Sequence, residues 1–148
     1  MACFRSSLFY VFTVVAVLGF ALPPALADGS SRPYGGGGRI NPGAIIAQYN
    51  KSGERFRIEG SCQSSCTMLL AIKNVCVDPG ARLLFHAALF PNEAGQKPPP
   101  KRQAAMLAAY KPALRNYLVK NGYVSSFEFH TISGADIIRK FGYRQCPN

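Results

Sequence analysis

The residue with the clearest chemical potential is Ser64, in the segment Gly-Ser-Cys-Gln-Ser between a predicted strand and a predicted helix. At the start of a helix, backbone N–H groups have no partner within the helix and the helix dipole is positive. A serine there can act as a nucleophile, and the N–H of Ser65 points to where an acyl oxyanion would form. His86, at the end of a later predicted strand, is a candidate to take the serine's proton. The plainer alternative is that Ser64 caps its helix and His86 is a packing residue.

Alternating strands and helices are predicted around these two residues. Pro42 suits the first turn of a helix over 42–51, and Phe56 and Ile58 alternate with charged residues in a strand over 55–59. Small residues then predict a corner over 60–64. The remaining elements of this half are a buried helix over 65–72 and two strands over 75–77 and 82–85, joined by an Asp-Pro-Gly turn.

The C-terminal half is predicted to be mainly helical. A loop rich in proline and glycine over 90–100 precedes helices over 101–110 and 112–120. Their apolar stripe is predicted to join the core and consists of Met106, Tyr110, Leu114 and Tyr117. A Ser133-x-x-Asp136 capping box opens a last helix that Gly142 ends. The alternation of strands and helices favours an α/β fold, a small sheet packed with helices.

The N-terminus has the pattern of a cleavable signal peptide. One basic residue, Arg5, precedes a short apolar run, and Ala25-Leu26-Ala27 supplies the small residues of a cleavage site. We therefore expect residues 1–27 to be removed after Ala27 and the protein to be periplasmic or secreted. An uncleaved anchor is the alternative, but no basic cluster follows the apolar run.

The rest of the chain is predicted to be a flexible linker, 28–36, and a single domain, 37–148. Cleavage removes only Arg5 among the charged residues, so the formal net charge falls from +10 to +9. The charges are scattered and do not interleave with aromatics, which argues against specific nucleic-acid binding. A basic exported domain is instead expected to be weakly attracted to anionic envelope surfaces.

The cysteines fit an exported protein. Cleavage also removes Cys3 and leaves an even set, Cys62, Cys66, Cys76 and Cys146, which predicts two disulfides without choosing among the three pairings. Cys146, near the C-terminus, is expected to tie the tail to the core. Zinc is the alternative, but no histidine lies close to Cys62 and Cys66 in sequence, so we expect no metal and no other cofactor.

Two stretches of the sequence, GSCQSSCTMLL and DPGARLLFHAA, together with the earlier Gly-Gly-Arg-Ile turn, resemble the Clp protease proteolytic subunit and the wider crotonase-like fold. They are also similar to small exported bacterial proteins with a G-x-C-x-S-x-C-T motif. The resemblance covers residues 37–86 well and the last capped helix loosely. It implies that Ser64 is the nucleophile and His86 the general base, and that Gly38 and Ser65 supply the N–H groups of the oxyanion hole.

Two departures from the family bear on function. The family has strands before its glycine turn, whereas here only residues 28–36 would precede it, so the fold is expected to be truncated. The third triad residue has no clear counterpart, and the nearest acid is Glu128, one position out of register. The leading hypothesis is a serine hydrolase acting on peptide or ester bonds. The other is a non-catalytic binding or structural protein of the envelope; ring-like oligomers are a family property that a truncated chain can lack.

Overall fold

The computed structural model describes residues 28–38 and 40–147 and shows a mixed α/β protein, which confirms the coarse prediction of fold class. The predicted signal peptide, residues 1–27, lies outside the described residues. Within the described ranges, no helix is long and apolar enough to cross a bilayer.

The first sheet is parallel and has the order β1-β2-β4. Its strands are β1 (Gly29–Ser30), β2 (Phe56–Ile58) and β4 (Val75–Val77). Parallel neighbours need a crossover, and helix α1 (Pro42–Ser52) supplies the one between β1 and β2. The Asn41 side chain caps α1 by accepting from the N–H of Ala44, and Gly53 ends the helix in a left-handed conformation.

Strand β1 corrects the prediction that residues 28–36 form a flexible linker. The N–H groups of Gly29 and Ser31 donate to the carbonyls of Arg55 and Arg57, at 2.8 and 2.9 Å, and Ser31 is fully buried. The Gly, Ser and Pro composition concealed this pairing because an edge strand is held by backbone hydrogen bonds and needs few apolar side chains. A strand therefore does precede the glycine turn.

The second sheet has the order β3-β5-β6 and positions the serine corner. Its strands are β3 (Ser61–Gln63), β5 (Arg82–Phe85) and β6 (His130–Ser133), with β3 parallel and β6 antiparallel to β5. The chain passes from β2 in the first sheet to β3 in the second at Gly60, whose φ of 64° suits glycine. The predicted corner over 60–64 thus contains a short strand, and β6 was not predicted.

The segment after β3 is a 3-10 helix, Ser64–Ala71, where the sequence predicted a helix over 65–72. The later helices are α2 (Pro100–Ala108), α3 (Pro112–Lys120) and α4 (Gly134–Phe141). The capping prediction for α4 is confirmed, because Ser133 Oγ accepts from the N–H of Asp136 and Gly142 ends the helix with φ 68°.

The core lies between the sheets and the helices. Its large, fully buried side chains come from both sheets, the 3-10 helix, α3 and α4, and include Phe56, Ile58, Leu69, Leu83, Phe85, Leu114, Leu118 and Ile137. Of the apolar stripe predicted on α2 and α3, Tyr110 and Leu114 are buried, whereas Met106 and Tyr117 are partly buried and pack against the core.

All four predicted cysteines are in disulfides. Cys62 is bonded to Cys66 across the serine corner, and Cys76 of β4 is bonded to Cys146 near the C-terminus. Disulfides of this kind are typical of proteins in oxidising compartments. Bonded cysteines offer no thiolate to zinc, and the described residues contain no group of three metal-ligating side chains.

Candidate active site

Ser64 is held at a strained position of the backbone. It follows β3, begins the 3-10 helix, and has φ 54°, the one positive value for a residue other than glycine within the described ranges. This left-handed conformation costs most residues about 1–2 kcal/mol, so the surroundings must maintain it. One such support is Thr67, whose Oγ1 donates to the Ser64 carbonyl at 2.7 Å and in turn accepts from the Tyr110 hydroxyl at 2.7 Å.

His86 is the direct partner of the serine. Its Nε2 lies 2.8 Å from Ser64 Oγ. The sheet explains the contact: β3 and β5 are parallel, with Gln63 paired to Leu84, so the residues just past the two strand ends emerge side by side. The two residues that the sequence proposed as nucleophile and base are therefore brought within hydrogen-bonding distance.

The environment of His86 favours its neutral form. The residue is 5% exposed, and burial lowers the pKa of the imidazole below its ordinary value of 6.5; the backbone of Ala87 acts weakly in the opposite direction. A neutral imidazole accepts at one nitrogen only. For Ser64 Oγ–H to donate to Nε2, the ring proton must be on Nδ1.

In the part of the chain that the structure describes, no carboxylate hydrogen-bonds to this ring. His86 Nδ1 is buried and has no hydrogen-bond partner of normal geometry within residues 28–38 and 40–147. Glu128, the acid that the sequence offered, is exposed, and its N–H donates to Ser126 Oγ at 3.3 Å. It makes no hydrogen bond with His86, so the structure does not bring this nearest acid to the ring. The residues on either side of Glu128 contact the ring instead.

Those neighbours, Phe127 and Phe129, are residues that the sequence analysis missed. The His86 ring lies edge-on to both, with centroid distances of 4.9 and 4.6 Å and interplanar angles of 70° and 64°. The available signal was the Phe-Glu-Phe alternation just before His130. The sequence analysis considered only Glu128 in this segment, because a carboxylate is the usual orienting member of a catalytic triad.

The predicted oxyanion-hole residues also lie at this site. Ser65 Oγ donates to the Gly38 carbonyl at 3.0 Å, which ties the glycine turn to the serine corner. Gly37 and Gly38 both have positive φ, 63° and 72°, and a Cβ at Gly37 would overlap the Gln63 carbonyl oxygen. Glycine is thus required for this close approach. The N–H of Ser65 is in the first turn of the 3-10 helix, where N–H groups lack an intrahelical acceptor.

A cavity of about 400 Å3 opens beside Ser64 and His86. Its walls are largely apolar and include Met68, Leu89, Phe90, Met106, Phe127 and Phe129. Phe90 and Phe129 are 55% and 40% exposed and are two of the three large apolar side chains exposed in the described part of the chain. Exposed aromatics at the rim of an apolar cavity are typical of a binding site for an apolar group.

One charged group lies at the wall of this cavity. Arg102 on α2 donates through Nη2 to both carboxylate oxygens of Glu93, at 2.9 and 2.8 Å, and its guanidinium lies 4.5 Å from the centre of the Phe90 ring. The same contact with Arg102 lowers the pKa of the Glu93 carboxyl. Because the arginine is paired, the cavity gains little net charge, and this pair too was not predicted.

The fold and the site define a mixed α/β protein with a serine and a histidine in contact at the start of a 3-10 helix. The chain matches no protein-family model, and no curated protein or solved structure is significantly similar to it.

Proposed function

We propose that this protein is an exported serine hydrolase with a truncated Clp-protease-like, crotonase-like fold. The observation that carries the proposal is the 2.8 Å contact between Ser64 Oγ and His86 Nε2, at a serine whose backbone is held left-handed. The order of elements supports it: a glycine turn, a helix, a strand, a serine corner, a helical segment, and a turn and strand that end at the histidine. The two disulfides support export.

The chemistry would be acyl transfer. Ser64 Oγ attacks the substrate carbonyl while His86 Nε2 takes the hydroxyl proton, and the N–H groups of Ser65 and Gly38 stabilise the oxyanion. The tetrahedral intermediate collapses, and the proton on His86 passes to the leaving amine or alcohol. Water, deprotonated by the same nitrogen, then attacks the acyl-serine, releases the acid and restores Ser64.

The lack of an orienting carboxylate among the described residues predicts a slow enzyme. In a serine protease, replacing the orienting aspartate by its amide lowers the rate by about 10^4, while the remaining groups still catalyse the reaction. His86 stays neutral and available as a base because it is buried, but within the described residues no carboxylate hydrogen-bonds to it and stabilises its cation. We therefore expect covalent labelling of Ser64 to be easier to detect than turnover.

The cavity indicates the kind of substrate. Its apolar walls would bind the acyl side of a peptide or ester bond when that side carries an apolar group. Each buried CH2 contributes about 0.8 kcal/mol, so in a series of p-nitrophenyl esters the kcat/KM is expected to rise about fourfold per CH2 until the cavity is full. Peptide substrates with an apolar residue before the scissile bond, assayed beside these esters, distinguish a peptidase from an esterase.

The decisive test is labelling with a fluorophosphonate probe, which reacts with activated serines. Wild-type protein with both disulfides intact should be labelled, and Ser64→Ala should not. Ser61→Ala, a change of an exposed serine on the adjacent strand, is the matched control and should be labelled like wild type. Absence of labelling on wild-type protein that unfolds cooperatively would refute the proposal.

A second candidate is a non-catalytic binding or structural protein of the cell envelope that keeps the serine corner as architecture. The observation that favours it is the buried Nδ1 of His86 without a partner, since an efficient triad would orient this atom. On this hypothesis the folded protein is not labelled, and the apolar cavity binds its ligand equally well in wild type and in Ser64→Ala.

A further inference from the structure

We propose that Phe127 and Phe129 position the His86 imidazole in place of an orienting carboxylate, so that the site operates as a serine–histidine pair held by aromatic packing. The inference rests on the proposed hydrolase function. It assigns these two phenylalanines as positioning residues, which act through His86 and are not themselves the reacting groups.

The three rings form a closed cluster. Phe127 and Phe129 each meet the imidazole edge-on, at 4.9 and 4.6 Å, and their own centroids are 5.9 Å apart with an interplanar angle of 63°. Edge-to-face contact is the favoured arrangement of aromatic pairs at these distances. Two rings that meet a third at steep angles oppose its rotation, which is the geometric task that a carboxylate on Nδ1 performs in a triad.

The backbone explains why these residues meet. Strands β5 and β6 are antiparallel, with Phe85 paired to His130, so continuing the register by one residue places His86 opposite Phe129. The Ala87 N–H then donates to the Ser126 carbonyl at 2.7 Å, which holds the two strand extensions together beyond the sheet. The aromatic cluster is thus built into the pairing of β5 with β6.

The cluster also determines the ionisation of the base. Phe127 and Phe129 pack against the His86 ring and offer it no hydrogen-bond acceptor, and burial is the largest cause of its lowered pKa. Among the described residues, Ser64 faces the ring from the corner and the backbone of Ala87 acts to raise the imidazole pKa. Arg102 of α2 lines the cavity but is paired with Glu93, and Glu128 is exposed. Removing a phenylalanine should therefore let water reach the imidazole and shift its pKa toward the ordinary value.

The experiment is an NMR titration of the histidine side chains of the full mature protein, paired with the rate of fluorophosphonate labelling. The chain contains two histidines, and His130→Gln assigns their signals. In wild type we expect His86 to titrate below pH 6.5 with its neutral proton on Nδ1. In Phe129→Ala we expect the midpoint to move up toward 6.5 and the labelling rate to fall ~10- to 100-fold, because small misplacements of a reacting group have effects of this size.

Several matched variants distinguish a loss of His86 positioning from a general destabilisation of the fold. Phe129 is 40% exposed, so its removal leaves no large hole in the core, and Phe129→Tyr keeps the ring and should restore both wild-type readouts. Phe90→Ala removes an aromatic from the same cavity without contact to His86 and should leave the His86 midpoint unchanged. Phe127→Ala should resemble Phe129→Ala in both readouts.

Two results would overturn the inference. One is a Phe129→Ala variant whose His86 midpoint and labelling rate equal those of wild type. The other is a Glu128→Gln variant that is labelled at least ~100-fold more slowly, since loss of a true orienting acid has an effect of this order or larger. The titration does not depend on catalysis, so failure of the hydrolase proposal, seen as absence of labelling in wild type, is distinguishable from failure of the aromatic positioning.

Discussion

The Cys62–Cys66 disulfide is predicted to support the site more than the fold. It spans the corner on which Ser64 lies, joining Cys62 of β3 to Cys66 of the 3-10 helix, and both cysteines are fully buried. The perturbation is the double variant Cys62→Ala/Cys66→Ala. The chain offers a matched control, Cys76→Ala/Cys146→Ala, because that disulfide joins β4 of the first sheet to the C-terminal tail and does not bracket Ser64.

The sizes of the two closed loops give the expected change in stability. The residues of the first bond are 4 apart in sequence and those of the second 70 apart. Loop-closure entropy then predicts a loss in the free energy of unfolding of about 2 kcal/mol for the first pair and about 4 kcal/mol for the second. If disulfides mattered only through stability, the control variant would be the more damaged of the two.

The conformation of Ser64 predicts the opposite order for the labelling rate: Cys62→Ala/Cys66→Ala should be the more impaired variant. Its left-handed backbone, φ 54°, costs about 1–2 kcal/mol, and without the disulfide the corner is free to relax. A relaxation of that size lowers the population of the reactive conformation about 5- to 30-fold. We expect Cys62→Ala/Cys66→Ala to be labelled more slowly by this factor, and the folded fraction of Cys76→Ala/Cys146→Ala to be labelled at the wild-type rate.

The assay combines urea unfolding with labelling kinetics measured where both variants are folded. A labelling rate for Cys62→Ala/Cys66→Ala within twofold of wild type would refute the reasoning. So would labelling losses in the two variants that simply follow their losses of stability, since the corner would then have no specific dependence on its disulfide.

Three further predictions concern the same site. Labelling requires neutral His86, whose pKa burial lowers below 6.5, so the rate should be full at neutral pH and fall only as the pH drops through that lowered pKa; an inflection at or above pH 6.5 would contradict this. Gly37→Ala should slow labelling, because its Cβ would overlap the Gln63 carbonyl and displace the glycine turn. Tyr110→Phe removes the buried hydrogen bond to Thr67 and should lower the free energy of unfolding by about 1 kcal/mol, measured by urea titration.

Gly53→Ala is the matched control for Gly37→Ala. Gly53 also has positive φ, 74°, but a Cβ there meets open space. Gly53→Ala therefore carries the backbone penalty without the overlap, and it should reduce stability while leaving the labelling rate of the folded protein unchanged. Equal labelling of Gly37→Ala and wild type would show that the glycine turn tolerates displacement.

Local signals in the sequence predicted the parts of the site that depend on neighbouring residues. The small residues before the 3-10 helix predicted the Ser64 corner, and the Ser133 cap and Gly142 terminator predicted the last helix. Proline at the starts of α1 and α3 located both helices. These patterns are readable because capping and turn formation involve residues only a few positions apart.

Contacts between segments that are distant in the chain could not be predicted from the sequence. Strand β1 was mistaken for a linker because its backbone, and not its composition, pairs it with β2. Four cysteines allow three pairings, and which one forms depends on the approach of β4 to the C-terminal tail. That phenylalanines and not Glu128 contact the His86 ring has a related reason: the neighbours of a ring depend on strand register, which a sequence pattern does not determine.

The sequence by itself thus determined a serine at a helix start, a histidine after a strand, and enough paired cysteines for two disulfides. Only the tertiary structure decided that Ser64 Oγ and His86 Nε2 lie 2.8 Å apart and that phenylalanines rather than an acid surround the base. The physical reason is that residue types specify which chemistry is available locally. Strand pairing between segments far apart in the chain specifies which of those groups meet.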